Sequence, residues 1–425
     1  MIKGSTDSTS IQSSDSFQLL SEHSQFSKRS VEQLGLIKEA DILLSLSDGV
    51  VRLHDSREYS LIEQLTRSKG ASQFALTTIS KSDPESGIPS IVSRLAVAVK
   101  RRILFWTWRD TQFDVDPVEM SLESSVRSMT WIEGLNLVCG LNSGFVLVDS
   151  ETQGAHDINY QRPQSDRPNE VETERFGAQG ATMSYIGMSG WTPPTLATQL
   201  GQNEVLLARD VNSYFINTSG KPLGRRSIPW ITAPDEIAYS YPYLLSAFFS
   251  RSTIEVRNPD TLSVLQTISL PSARFLQVPQ SSLSLAHAAK GCYIVGDKHV
   301  WQLNAENYNS QVDSLSAARK WDEALSLLSM LEDALVTNKA QKLQAIQTEK
   351  ATDMFRRKEY RKALELFTVA QTDPYTVIRL YPPEISGDAA DSDQDPPEQK
   401  SLSEIDGMSP RFQVLQQHLH GLSAN

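Results

Sequence analysis

The sequence predicts a mainly β chain that ends in helices: an incomplete β-propeller followed by the start of an α-solenoid. Two observations predict this fold. Six apolar hairpins recur between residues 42 and 304, and a helical hairpin pattern is then repeated in residues 313–369. A third observation argues against a membrane-spanning fold, since no apolar run reaches the roughly 18 residues that a transmembrane helix needs.

Each hairpin joins an apolar strand to a second strand through a short polar turn. The hairpins lie at residues 42–55, 95–108, 137–149, 205–217, 243–258 and 292–304. Turns such as Asp48-Gly49 use residues that tolerate positive φ. The turns near residues 213, 251 and 297 are separated by 38 and 46 residues, close to the about 40–50 residues of one propeller blade. This spacing favours a propeller over the alternative, a β-sandwich with uneven loops.

The helical region repeats a local pattern at an offset of 39 residues, because residues 321–324 match residues 360–363. In both copies an aromatic residue precedes an alanine by three positions, and a small alanine lets two helices approach closely. Stacked helix pairs of this kind form an α-solenoid. A third helix is predicted to begin at Pro374 with Asp373 as its N-cap.

Polar segments separate and flank these regions. The predicted organisation is a disordered Ser-rich N-terminus (1–25), a propeller (26–305) with a disordered insertion (151–175), helical hairpins (311–383), an acidic disordered linker (384–408) and a short helix or tail (409–425). Of the formal net charge of −11, residues 386–406 carry −6, with seven acids and one lysine. No domain-scale excess of lysine and arginine remains, which argues against nucleic-acid binding.

No motif in the sequence predicts catalysis or a cofactor. The seven histidines do not have the spacing of a zinc site. Cys139 and Cys292 lie in separate apolar runs, so both are expected to be buried thiols in a reducing cytosol. We therefore predict a protein that is not an enzyme and binds no cofactor and no metal. A propeller hydrolase is the catalytic alternative, and it would need a central ring of acids or histidines.

Three basic clusters are candidate partner contacts, or else ordinary solvated turns. They are Lys100-Arg101-Arg102, Arg225-Arg226 and Arg356-Arg357-Lys358. The first two are the predicted partner-binding residues, because hairpin turns of a propeller gather on one rim. An acidic protein or anionic lipid head groups would be their ligand, each basic residue contributing about 1 kcal/mol near a charged membrane.

Several segments together resemble one protein family, although each alone is weak. They include "FSKRSVEQLGLIKEADILLSLSDGVVRLHD" (26–55), "VSRLAVAVKRRILFWTW" (92–108), "EVRNPDTLSVLQTISLP" (255–271), "FRRKEYRKALELF" (355–367) and "TDPYTVIRLYPP" (372–383). These segments resemble the fungal vacuolar-morphogenesis, or vacuolar-protein-sorting, subunit of the HOPS tethering complex. That family joins a citron-homology propeller to clathrin-heavy-chain-type helical repeats.

The resemblance implies a function without chemistry. Such a subunit binds the GTP-loaded Rab GTPase of the vacuole and late endosome, together with other HOPS subunits. It promotes docking before SNARE-mediated fusion, in endosome-to-vacuole transport and in autophagy. The implied location is cytoplasmic and peripheral on vacuolar and late-endosomal membranes. The alternatives are an early-endosomal tether subunit of the same family and a citron-homology signalling scaffold.

The sequence departs from this family at both ends. The family opens with a further strand pair before residue 26, and its helical region is much longer than the one present here. Six visible hairpins, compared with seven expected blades, predict an open ring with an unpaired strand edge. We therefore expect a chain that is truncated at both ends.

Overall fold

The structure is a computed structural model of the 425-residue chain. It describes residues 21–23, 26–82, 89–109, 112–114, 116–132, 135–158, 194–201, 203–278, 291–382 and 386. The chain divides into two compact units between Asn304 and Ala305. The first unit is built from β-strands and the second from helices.

The described strands of the first unit form six antiparallel sheets with their strands in chain order, except that the fifth strand of the second sheet pairs with the third strand and not with the fourth. The first sheet contains β1 (Val31–Ile37), β2 (Ile42–Ser47), β3 (Val50–Asp55) and β4 (Leu61–Gln64). The second contains β5 (Ala71–Ser82), β6 (Pro89–Val99), β7 (Arg102–Arg109), β8 (Gln112–Phe113) and β9 (Val118–Ser121). The third contains β10 (Val126–Ile132), β11 (Asn136–Leu141), β12 (Phe145–Asp149) and β13 (Ala155–Asp157).

The last three sheets repeat the same order. The fourth contains β14 (Thr195–Gln199), β15 (Val205–Arg209) and β16 (Asn212–Ile216). The fifth contains β17 (Glu236–Ser240), β18 (Tyr243–Phe248), β19 (Thr253–Arg257) and β20 (Val264–Ser269). The sixth contains β21 (Ala273–Gln277), β22 (Cys292–Gly296) and β23 (Val300–Leu303).

The sheets are arranged as the blades of a propeller. The first strand of each sheet lies beside the first strand of the next, so that β1, β5, β10, β14, β17 and β21 form a continuous series. Each sheet then extends away from this series through its second and third strands. This six-bladed arrangement confirms the fold class that the hairpin spacing predicted.

The six predicted hairpins are confirmed, and all six occupy the same place in their sheets. Each consists of the second and third strands: β2–β3, β6–β7, β11–β12, β15–β16, β18–β19 and β22–β23. The turn Asp48-Gly49 has φ values of 54° and 64°, as a two-residue hairpin turn requires. Because successive strands alternate in direction, all six turns lie on one face of the propeller, which we call the turn face.

The core of this unit lies between neighbouring sheets. Trp106 and Trp108 on β7 are 3% and 9% exposed and pack between the first and second sheets. Phe105, which points to the other side of β7, packs between the second and third sheets instead. This alternation is what a strand buried on both faces requires. Burying a side chain of this size stabilises the fold by about 1.5–3 kcal/mol.

The junction between the sixth and first sheets is open among the residues that the structure describes. There, β21 and β1 do not lie side by side as the other first strands do. Leu34 and Leu36 of β1 are 56% and 51% exposed, and Phe275 of β21 is 59% exposed. Gln33, which precedes the two leucines, instead faces the second sheet and donates a hydrogen bond to the Phe74 carbonyl at 2.6 Å. Apolar side chains are therefore exposed on both β1 and β21, and the open ring with an unpaired strand edge stays a prediction.

The N-terminal segment contacts the first sheet, which corrects part of one prediction. The ring of His23 lies 4.6 Å from that of Tyr59, and the ring of Phe26 stacks on His54 at 4.1 Å. His23 belongs to the segment 1–25 that the sequence predicted to be disordered. Packing of aromatic rings explains why the end of that segment has a defined place. Residues 1–20 lie outside the described part.

The predicted insertion at 151–175 also needs correction, because it begins too early. Residues 150–154 form a turn, and β13 (Ala155–Asp157) pairs with β12 as the fourth strand of its sheet. The segment "ETQGAHD" is polar but still forms a short edge strand. The outer side of an edge strand faces solvent and therefore needs no apolar residues. Residues 159–175 lie outside the described part, as do the linker and tail predicted at 384–425 except for Ser386.

The second unit contains five α-helices in the described residues. They are α1 (Tyr308–Ala317), α2 (Trp321–Met330), α3 (Lys339–Arg356), α4 (Tyr360–Val369) and α5 (Pro374–Ile378). The predicted repeat is confirmed, since Trp321 and Tyr360 begin α2 and α4 and both Ala324 and Ala363 are 0% exposed. The predicted third helix begins at Pro374 after the N-cap Asp373, but the Asp373 side chain makes no capping hydrogen bond.

Candidate basic interaction surface

The hairpin turn of the second sheet places three basic residues on the turn face. Lys100 occupies the left-handed region, with φ of 58°, and Arg101 and Arg102 follow it. The backbone carbonyls of this turn bind the next connection, because Arg101 O accepts from Leu122 N at 2.7 Å and Lys100 O accepts from Val126 N at 3.2 Å. These bonds fix the backbone, so the exposed side chains project from a rigid base.

Glu119 joins Arg102 to a basic residue from a different part of the sequence. Arg102 donates to the Glu119 carboxylate at 2.8 Å, and Arg67 lies 3.8 Å from the other oxygen of the same carboxylate. Arg67 belongs to the 3-10 turn that connects the first sheet to the second. One carboxylate therefore holds two guanidinium groups that are 35 residues apart in the chain.

Lys69 and Arg127 extend this cluster to both sides. Lys69 is exposed and lies two residues before Ala71, which pairs with Val99 at the end of β6. Arg127 is exposed at the start of β10 and donates to Asn142 Oδ1 at 2.9 Å. We define the basic rim as the exposed residues Arg67, Lys69, Lys100, Arg101, Arg102 and Arg127.

The basic rim is positively charged although the whole chain carries −11. Its six basic side chains are accompanied by two exposed or half-buried carboxylates, Glu119 and Glu123, which leaves a net charge of +4. Lys69, Lys100 and Arg101 form no ion pair within the described ranges. Charges that have no partner in the fold are available to a ligand.

The second predicted cluster is not brought together with the first. Arg225 and Arg226 do not lie in a hairpin turn but in the stretch that follows β16 and runs back beside it. The Arg225 guanidinium binds the Glu204 carboxylate and the Pro259 carbonyl, and it lies 4.4 Å above the centre of the Phe215 ring.

Arg225 is therefore largely engaged within the fold. Arg226 beside it is exposed. In the helical unit, the third basic cluster also lies at a turn, where Arg357 pairs with Asp353 at 2.7 Å. Sequence reasoning thus found half of the basic rim and missed Arg67, Lys69 and Arg127, which are scattered single residues in polar connections.

Chemically reactive groups are buried or dispersed in the part of the chain that the structure describes. Cys139 and Cys292 are buried free thiols, as predicted, and burial raises the pKa of both, that of Cys292 to about 12. The described residues contain no group of three or more His, Cys, Asp or Glu side chains placed to hold a metal ion. No described helix is long and apolar enough to cross a membrane.

Comparison with known protein families shows which family this propeller matches. Residues 12–278, more than half of the chain, match the CNH domain. The chain belongs to the CNH-domain family. The match begins within the N-terminal segment 1–25 and ends in the sixth sheet, so it includes every described strand from β1 to β21.

Relatives of this CNH-domain chain are vacuolar morphogenesis and sorting proteins. It is 25% identical over 263 residues to vacuolar morphogenesis protein 6 of Schizosaccharomyces pombe, covering 62% of this chain and 27% of that protein. It is 23% identical over 358 residues to human Vam6/Vps39-like protein, covering 84% and 35%. It is 24% identical over 359 residues to vacuolar sorting protein 39 of Arabidopsis thaliana, covering 84% and 30%.

Two facts follow from these comparisons. The chain spans about a third of the length of the relatives that it matches. Neither the CNH domain nor these relatives carry a name that indicates catalysis. The resemblance to vacuolar morphogenesis and sorting proteins, predicted from the segments quoted above, is confirmed.

Proposed function

We propose that this CNH-domain protein is a non-enzymatic subunit of the HOPS tethering complex, which binds the Rab GTPase of the vacuole and late endosome in its GTP-loaded form. Its role is to promote docking and fusion in endosome-to-vacuole transport and in autophagy. Other HOPS subunits are its further partners, and SNAREs act downstream of it. It acts in the cytoplasm as a peripheral protein of vacuolar and late-endosomal membranes.

One observation carries the proposal. The similarity to human and plant vacuolar proteins extends over 84% of the chain, and therefore continues from the propeller into the helical unit. A propeller provides several loop-built surfaces on a rigid frame, which suits recognition of a protein partner without catalysis. Helical hairpins stack on further copies of themselves and thereby build extended assembly surfaces.

The two ends of the protein have different proposed roles. The propeller recognises the GTPase, and the helical hairpins join the subunit to the rest of the tether. The predicted binding residues Lys100, Arg101, Arg102 and Arg226 are exposed and remain candidates for a partner contact. Arg225 is a weaker candidate, because Glu204 and Pro259 already occupy its guanidinium group.

Nucleotide-dependent capture tests the proposal. The purified chain is incubated with immobilised vacuolar Rab GTPase, locked in either the GTP-bound or the GDP-bound form. We expect retention on the GTP-bound form alone, since a tether must recognise the active GTPase. An early-endosomal Rab serves as the matched control. Equal capture of both nucleotide forms would contradict Rab recognition, and preferential capture by the early-endosomal Rab would point to the other tether of this family.

A further inference from the structure

We propose that the basic rim is a membrane-binding surface, which holds the turn face of the propeller against the anionic phospholipid head groups of a bilayer. The inference goes beyond the proposed Rab recognition and does not depend on it. It rests on the position, freedom and surroundings of six side chains from the first three sheets.

The position of the rim suits a flat ligand. Its residues come from a hairpin turn, the connection between the first and second sheets and the start of β10, all on the turn face. Backbone hydrogen bonds join the hairpin turn to the stretch before β10, as described above for Lys100 and Arg101. The Glu119 carboxylate links Arg67 of the first connection to Arg102. Long basic side chains that project from a rigid backbone can reach several phosphates at the same depth.

The charges of the rim are largely available. Lys69, Lys100 and Arg101 have no ion-pair partner in the described residues, and Arg67 and Arg102 share the single carboxylate of Glu119. Each basic residue close to an anionic bilayer strengthens attachment by about fivefold. Three uncompensated residues therefore give attachment that is weak, reversible and sensitive to salt.

The surroundings favour lipid over a protein partner. Protein interfaces are built around buried aromatic and apolar anchors. No large apolar side chain is exposed in residues 65–70, 99–102 or 119–127. The rim instead offers lysine and arginine head groups with nothing apolar between them, which matches a layer of phosphates.

Vesicle co-sedimentation of the full chain tests this inference. The probes are vesicles of phosphatidylcholine alone and vesicles that also contain phosphatidylserine. The charge-reversal variant K100E/R101E removes two exposed rim residues, and K69E removes a third. The matched control K38E/K221E makes the same kind of change in two exposed turns away from the rim.

We expect the wild-type chain and K38E/K221E to bind the phosphatidylserine vesicles alone, and to be released by added salt. We expect K100E/R101E to lower binding by about 25-fold or more, and K69E by about fivefold or more. Thermal unfolding of each variant shows whether it is folded. If K100E/R101E does not fold, the vesicle binding of K69E still tests the inference.

Three results would overturn the inference. The first is equal sedimentation of wild type and both rim variants. The second is equal binding to vesicles with and without phosphatidylserine. The third is a loss of Rab capture in K100E/R101E with vesicle binding unchanged, which would make the rim a protein contact. Failure of Rab capture in the wild-type chain, with vesicle binding intact, would contradict the proposed function and leave this inference standing.

Discussion

Arg225 and Arg226 are neighbours in the sequence, but their surroundings differ. Arg225 bridges the fourth and fifth sheets through Glu204 and the Pro259 carbonyl, and its side chain is 25% exposed. Arg226 faces solvent. A run of basic residues thus contains one side chain that stabilises the fold and one that is free for other contacts.

This difference predicts opposite outcomes for two substitutions. Arg225→Ala leaves a partly buried carboxylate and a carbonyl without their donor, so we expect the free energy of unfolding to fall by about 1–3 kcal/mol. Arg226→Ala is the matched control, and we expect it to change stability by less than about 0.5 kcal/mol. Urea denaturation followed by tryptophan fluorescence measures both. Similar midpoints for the two variants would show that the Arg225 contacts contribute little.

Glu236 contributes a pH dependence to the propeller. Burial raises the pKa of its carboxyl group to about 7 from an ordinary value of 4.5, and the nearby charge of Asp235 adds to the effect. The carboxylate accepts a hydrogen bond from Leu276 N at 2.7 Å, which links β17 to β21 and lowers the pKa in part. Protonation of one side chain is therefore coupled to the contact between the fifth and sixth sheets.

The direction of this effect follows from linkage. Because the pKa is higher in the folded protein, the stabilisation by proton uptake is fully present below pH 4.5 and is lost as the pH rises through about 7. The loss amounts to roughly 3 kcal/mol at most. In Glu236→Gln the side chain is neutral at every pH and can still accept from Leu276 N. We expect the melting temperature of wild type to fall more between pH 5 and pH 8 than that of Glu236→Gln, and parallel curves would contradict this account.

The helical hairpins show how a repeated element is built from a short pattern. At the end of α1, Lys320 N donates to Leu315 O at 2.9 Å, and 39 residues later Glu359 N donates to Met354 O at 2.9 Å. Both helices end with a residue in the left-handed region, Arg319 in the first case and Lys358 in the second. The same hydrogen-bonded end therefore reverses the chain in both hairpins.

The alanine at the helix crossing should be sensitive to size. Ala363 on α4 is 0% exposed and packs in the core of the second hairpin. We expect Ala363→Leu to overpack this core and to destabilise the helical unit by about 1–3 kcal/mol. Val369→Leu, at a 68% exposed position of the same helix, is the control and should have little effect. Circular dichroism at 222 nm during thermal unfolding measures both variants, and equal melting temperatures would argue against close packing at Ala363.

The same local rules explain which strands were predictable. The second and third strands of each sheet are apolar and joined by tight turns, so their alternation and turn residues indicate them directly. The short edge strand β13 (Ala155–Asp157) is exposed along its length, and its pairing with β12 depends on the chain returning to the sheet. Nothing in a polar tripeptide predicts that return.

At the scale of the whole molecule, the two units differ in architecture and each has its own core. In the part of the chain that the structure describes, apolar clusters join propeller residues up to Leu262, and a separate cluster joins α3, α4 and α5. A unit with its own core can fold separately.

A truncated chain tests this independence. We expect residues 1–304 produced alone to unfold cooperatively and to give a β-type circular dichroism spectrum, because the apolar clusters described between its sheets contain no helical residue. We also expect it to retain the vesicle binding of the full chain, since all residues of the basic rim lie before residue 128. A soluble chain without a cooperative transition would mean that the helices are needed for the propeller to fold.

The sequence by itself determined the propeller hairpins, the helical repeat and the buried thiols, because period, turn chemistry and apolar content are local properties. It also pointed to Lys100, Arg101 and Arg102 as exposed basic residues. Only the tertiary structure brought Arg67, Lys69 and Arg127 to the same rim and engaged Arg225 with Glu204 and the Pro259 carbonyl. The physical reason is that a charge is free or paired according to neighbours tens of residues away, and those neighbours are set by how the sheets pack.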